Sequence, residues 1–129
     1  MKYMMQMNVK GGSYQMEGWS PQDIKAMVDF MHGFNAELRK NGQWVVGEGL
    51  VAPEFARIVR ADDHGQPVVT DGPFAESKEF IAGFWIVEVK AEAEAFRLAA
   101  KVSTCPGPGG KPLNMPLEVR AVGSAPNPE

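Results

Sequence analysis

Two residue types that build many small domains are scarce in this 129-residue chain, which has one cysteine and two histidines. A lone cysteine excludes an internal disulfide. His32, His64 and Cys105 also lie too far apart for the ligand spacings of a zinc site, so no metal is expected. No apolar run approaches the roughly 20 residues of a membrane span. The N-terminal MKYMMQMNVKGG interrupts its apolar residues with polar ones, where a signal peptide would need an unbroken run. With a single thiol, this predicts a reducing, cytoplasmic location. Basic charge is also short, 13 against 16 acidic residues, for a net charge of −3. Lys25, Arg39, Lys40, Arg57 and Arg60 are dispersed, so a nucleic-acid groove is not expected.

What is present suits one domain. Hydrophobic residues make up 44% of the chain, and a chain of this length buries roughly two-thirds of its unfolded surface without covalent staples. The folded unit is placed at residues 1–122. Residues 123–129, GSAPNPE, have nothing large and apolar to dock and are expected to form a flexible tail.

Tyr3, Met5, Met7 and Val9 alternate with polar Lys2, Gln6 and Asn8, which predicts a first strand with Met4 as the exception. Ser20, Pro21 and Asp23 form a helix start, and Asn41-Gly42 a stop. Between them Ile24, Met27, Val28, Met31, Phe34 and Leu38 recur at helical spacing, marking one core-facing side. Residues 43–70 read as strands with at least one hairpin, and Gly83–Lys90 as a central strand. Ala91–Val102 reads as a second helix with Ala95, Leu98, Ala99 and Val102 inward, and PLEVRAV as a last strand. CPGPGGKPLNMP, residues 105–116, holds four prolines and three glycines in twelve residues and reads as a loop.

This order predicts an α+β fold, a ferredoxin-like split βαβ sandwich with an extra hairpin. Two helices cover one face of such a sheet. Eight methionines and three tryptophans supply adaptable contact area for the other, so a homodimer packed through the sheet faces is expected, a dimeric α+β barrel-like assembly.

Two phosphate-site look-alikes fail on context. Gly47-Glu48-Gly49 follows a strand, but Pro53 stands where a helix should begin. Gly110-Lys111 is followed by Pro112 instead of the serine or threonine of a phosphate loop. No cofactor is expected.

Asp71-Gly72-Pro73-Phe74-Ala75-Glu76-Ser77-Lys78-Glu79 is the informative stretch. Gly72-Pro73 fixes a turn, Asp71 can cap it, and Phe74 can pin the loop to the body. Such a segment is either a solvated connection or a functional loop presenting Asp71, Glu76, Lys78 and Glu79 to a pocket. Residues 71–94 contain six acids and two lysines, which disfavours a strongly anionic ligand there.

DGPFAESKE, followed by Gly83-Phe84 on a long strand, resembles the signature of the DGPF-domain family within the YCII-related superfamily. The KYMM strand, AELRKNG at the helix end, GEGL and LEVRAV extend the resemblance over most of the chain. The resemblance implies a ferredoxin-like dimer with no established reaction, a small-molecule pocket, and a histidine–aspartate pair. His32 and Asp71 are the matching candidates: His32 as proton carrier, Asp71 as the group that orients it. His32 lies about 110° from the centre of the helix's apolar side, a position suiting either a pocket wall or an exposed surface. Glu48, Pro73, Phe74, Glu76, Lys78 and Glu79 are the substrate-binding candidates, with Trp44 or Trp85 as a wall, and Glu48 reads equally as an outward strand residue. The alternative function is a non-catalytic ligand-binding or accessory regulatory module associated with bacterial transcription control.

Overall fold

A computed structural model describes residues 1–10, 16, 18–74 and 78–124. Strand β1 (Lys2–Lys10) leads to helix α1 (Pro21–Lys40), β2 (Trp44–Gly49), the hairpin β3 (Arg57–Ala61) and β4 (Pro67–Asp71), β5 (Glu79–Glu88), α2 (Glu92–Ser103) and β6 (Leu117–Ala121). The sheet runs β2-β5-β1-β6, and every adjacent pair is antiparallel. β1 and β2 therefore run parallel with β5 between them, and β5 and β6 enclose β1 in the same way. This is an α+β architecture consistent with a ferredoxin-like fold. β3 and β4 pair only with each other, as a separate two-stranded sheet.

Helix α1 begins and ends where its capping residues predict. The Ser20 hydroxyl accepts from the Asp23 amide, and an Asp23 carboxylate oxygen accepts from the Ser20 amide, both at 3.1 Å. This reciprocal pair satisfies two orphan donors of the first turn. At the far end Gly42 takes a φ of +70°, and the Gln43 amide returns to the Leu38 carbonyl at 2.8 Å, closing a Schellman turn.

Asp23 also accepts from the Gly109 amide at 3.1 Å, which ties the helix start to the 105–116 segment. The Ser20 and then the Gly109 amide bonds hold its carboxyl below the usual aspartate range. A lowered folded pKa means that this tie is complete above the unfolded value, about 3.9, and is lost as pH falls through the folded one. Protection of the Gly109 amide, measured as its exchange rate relative to the intrinsic rate at each pH, is expected to fall as pH drops through the lowered Asp23 pKa, and Asp23→Asn to abolish that dependence. Hydrogen exchange followed by NMR reads both; an unchanged pH profile in the variant would contradict the assignment.

The core forms where both helices meet one sheet face. Tyr3, Met5, Trp85 and Val87 pack there against Phe34 and Leu38 of α1 and Ala95, Leu98, Ala99 and Val102 of α2. The predicted inward side of α2 is buried throughout. On α1 only Phe34 and Leu38 are buried, while Met27 and Met31 are half-buried and Ile24 and Val28 exposed. The N-terminal half of α1 thus overhangs an opening instead of closing on the sheet. β5 begins four residues before the predicted Gly83, because Glu79, Phe80 and Ile81 pair with Lys10, Val9 and Asn8. On the opposite sheet face Met4, Gln6, Val46, Phe84 and Ile86 are only half-buried.

Candidate functional site

The opening beneath α1 is a cleft of about 480 Å³. Met27 and Met31 roof it, Met7 and Ala82 supply the sheet side, and Cys105, Leu113 and Met115 come from the 105–116 segment. A register shift between Met7 and Asn8 turns the end of the β1–β5 ladder, and the small Ala82 leaves room there. Trp19 closes the side near the start of α1, and Asn8, Lys10 and Glu79 bring polar groups to the sheet end.

The 105–116 segment is a firmly bonded wall, in spite of its prolines and glycines. The Gly107 amide donates to the Lys111 carbonyl at 2.7 Å, Leu113 to Cys105 at 2.9 Å and Asn114 to Ser103 at 2.8 Å. The Ser103 hydroxyl donates to the Met115 carbonyl at 2.7 Å. These bonds fix Leu113 and Met115 against the cleft. Cys105 is fully buried, and loss of hydration pushes its thiol pKa up. At neutral pH it stays protonated, an apolar wall group and a weak nucleophile.

A second cleft, about 460 Å³, lies beside the DGPF segment. Pro73, Phe74 and Glu79 line it together with Leu50, Phe55, Arg57, Ile58, Phe80 and Ile81. The Phe74 ring is 62% exposed, so it edges this groove without pinning the loop as a core residue would. Asp71 stands opposite Arg57 in the β3–β4 ladder, with a carboxylate oxygen 3.6 Å from the Arg57 Nε. That ion pair is open to solvent and adds little stability.

Three of the predicted binding residues, Pro73, Phe74 and Glu79, therefore share one groove, and Glu79 borders both clefts. Lys78 is exposed and lines neither. Glu76 falls outside the described residues. Glu48 is exposed on the open sheet face, opposite Phe84 in register, as its outward-strand reading has it. His32 is exposed on α1, next to the roof residue Met31. Among the described residues no hydrogen bond or ion pair joins His32 to Asp71, and neither lines either cleft. Neither Trp44 nor Trp85, the expected walls, lines either cleft. Trp85 is buried against Phe34, with ring centroids 5.6 Å apart and nearly perpendicular, and Trp44 lies under the Arg39 guanidinium at 4.1 Å. Both rings hold α1 to the sheet.

Sequence reasoning missed Met7, Trp19, Met31, Cys105 and Met115 as a group. Their signal was the methionine count, read as interface material, whereas Met7, Met16, Met27, Met31 and Met115 border one cleft. Among the described residues no cluster of three or more histidine, cysteine, aspartate or glutamate side chains is arranged to hold a metal ion, and no helix is long and apolar enough to cross a membrane.

Residues 1–106 match the family described as the YCII-related domain. The chain is also similar to an uncharacterized protein of Rhizobium meliloti (strain 1021), 30% identical over 77 residues. That alignment covers 60% of this chain and 62% of the relative, so it spans less than two-thirds of either.

Proposed function

Because the chain belongs to the YCII-related family, we propose that it is a DGPF-type, small-molecule-binding member that works as a homodimer, with its ligand held in the cleft beneath α1. The observation that carries this reading is the cleft itself. Its volume, about 480 Å³, lies in the range of ligand sites, and it combines an apolar lining with a few polar groups at one end. The DGPF segment contributes through Glu79, which reaches the same end.

The dimer rests on the half-buried Met4, Val46, Phe84 and Ile86 on the open sheet face. A two-fold partner there would bury the same patch twice. An acid–base reaction by His32 and Asp71 belongs to this dimer reading, since the two share no cleft within one chain; a partner's hairpin would have to bring Asp71 to His32. The accessory-module reading needs only the cleft.

The test uses the methionines as probes. In a methyl-labelled sample titrated with a library of small aromatic and aliphatic fragments, binders are expected to shift Met7, Met27, Met31 and Met115 and to leave Met4, on the opposite face, unmoved. Shifts confined to Met4, or none at all, would refute the cleft. For the dimer, light scattering should give twice the 14.1 kDa chain mass, and Ile86→Arg should return monomers, because it leaves a charge unpaired at the centre of the interface. A wild-type monomer at micromolar concentration would refute it.

A further inference from the structure

Strand β6 ends the sheet, and its outer edge is open. β1 pairs with it on one side, and among the described residues no strand lies on the other. The Val122 amide donates to the Lys2 carbonyl at 2.9 Å, so Lys2 and Val122 form a hydrogen-bonded pair of the antiparallel ladder. Such pairs alternate with non-bonded ones, and the register continues them at Met4–Arg120 and Gln6–Glu118. The backbone N–H and C=O groups of Leu117, Val119 and Ala121 therefore point away from β1, out of the sheet. A row of this kind is a template for another strand, and folded chains commonly guard it with lysines or a proline.

The open edge of β6 carries both signs of charge instead. Glu118 and Arg120 stand opposite Gln6 and Met4 on the open sheet face, both exposed and, among the described residues, in no ion pair. A second copy laid antiparallel along this edge must match outward backbone groups with outward ones, which puts the two-fold axis at Glu118, Val119 or Arg120. Centred on Glu118 it sets glutamate against glutamate, and centred on Arg120 arginine against arginine. Centred on Val119 it sets Glu118 of each copy opposite Arg120 of the other, in the non-hydrogen-bonded position where side chains approach most closely. There Val119 exchanges both backbone bonds with its counterpart, and Leu117 with Ala121.

The helix above the edge adds an apolar group. α2 packs over β6 and β1, and its Glu94 and Lys101 reach Gln43 and Glu37, at α1 and just beyond it. Phe96 lies on the other flank of α2, about 110° from the centre of the buried side, and is 51% exposed. A two-fold mate along β6 brings a second such flank alongside.

From the backbone parity and the charge order we infer that β6 pairs antiparallel with β6 of a second copy, centred on Val119, joining two sheets into one with Glu118–Arg120 pairs across the seam. This contact is separate from the packing of sheet faces proposed above. Strands of five residues bury well under about 1,200 Å², so the pairing is weak and develops at submillimolar concentration.

The test uses Ile86→Arg as background, where the sheet-face contact is removed, so its result stands whatever becomes of that reading. In sedimentation equilibrium the mass is expected to rise from the single-chain 14.1 kDa toward twice that value between micromolar and millimolar concentration. Adding Glu118→Arg, or Arg120→Glu, opposes like charges on both sides of the axis and should weaken association about tenfold. An equimolar mixture of those two variants should restore it, as should the double exchange Glu118→Arg/Arg120→Glu, whose net charge is unchanged. Both side chains are exposed, so melting temperatures should stay within a few degrees of the background. In a mixed-labelled sample, isotope-filtered NMR should place the Glu118 Hα against the Arg120 Hα of the other copy. A chain still monomeric at millimolar concentration would overturn the pairing, and so would association indifferent to the charge reversals. Leu117, Val119 and Ala121 amides already protected in the monomer would show that the chain covers its own edge, and uptake of an unrelated extended peptide by a persistent monomer would give the edge to another partner; either result overturns the pairing.

Discussion

Trp85→Ala is expected to lower stability by about 3–5 kcal/mol, the cost of emptying a large buried aromatic site. Trp85 is 6% exposed at the middle of β5. Its ring meets the edge of Phe34, and its indole N–H donates to the Asn35 side-chain oxygen at 2.8 Å. Truncation opens a cavity, removes the ring pair and leaves the Asn35 oxygen without its donor. All three losses fall on the seam between α1 and the sheet. Against a typical total of about 5–15 kcal/mol, the expected result is a melting point lower by about 10–20 °C and preferential loss of amide protection in α1. Trp85→Phe keeps a ring against Phe34 but not the donor, and should cost about 1–2 kcal/mol. Thermal and urea unfolding measure both; a Trp85→Ala penalty within 1 kcal/mol of zero would contradict the seam.

The seam shows how much of the fold the sequence could reveal. Ser20-Pro21-Asp23 and Asn41-Gly42 bracket α1 because caps are local chemistry, readable from a few adjacent residues. The inward side of α2 is equally legible, since Ala95, Leu98, Ala99 and Val102 repeat at helical spacing and all meet the sheet. On α1 the same logic marks a side without showing how far the sheet extends beneath it. Phe34 and Leu38 are buried in the core, whereas Met31 packs only at its edge and, with Met27, borders an opening walled by the 105–116 segment. The start of β5 escaped for a related reason: Glu79 joins a strand because Lys10 is there to pair with it.

The candidate site was less legible than the fold. The DGPF segment stood out as an unusual local run, and Pro73, Phe74 and Glu79 do share a groove. The methionine cleft draws on Met7, Met31, Cys105 and Met115, which no periodicity or motif links. Its residues meet only because β1, α1 and the 105–116 wall converge at one end of the sheet. His32 is exposed on α1, and helix arithmetic, which left it as either a pocket wall or a surface residue, does not say which element lies opposite. In this chain Asp71 faces Arg57 instead.

Gly47 and Gly49 carry the second large prediction. Both sit on β2 within a GEGL run that superficially resembles a nucleotide-binding loop, yet their surroundings differ. A Cβ on Gly47 would lie 2.7 Å from Trp85 Cδ1 and 2.9 Å from Trp44 Cη2, whereas a Cβ on Gly49 meets nothing within 4 Å. Neither ring can yield cheaply. Trp85 is held by Asn35 and Phe34, and Trp44 by the Arg39 guanidinium over its face. Gly47→Ala is therefore expected to cost about 1–3 kcal/mol by overpacking, with Gly49→Ala within about 0.5 kcal/mol of the parent. Both substitutions restrict the unfolded chain alike, so their difference isolates the packing at the two rings. Chemical denaturation measures that difference, and a Trp44→Leu background should reduce the Gly47→Ala penalty, because a smaller, flexible side chain makes way for the new methyl group. Equal penalties for the two glycines would show that Gly47 is not there for the tryptophans. An unequal pair would give it a mechanical role: its missing side chain is what lets β2 lie flat under two indoles, and those indoles hold the helix that roofs the cleft.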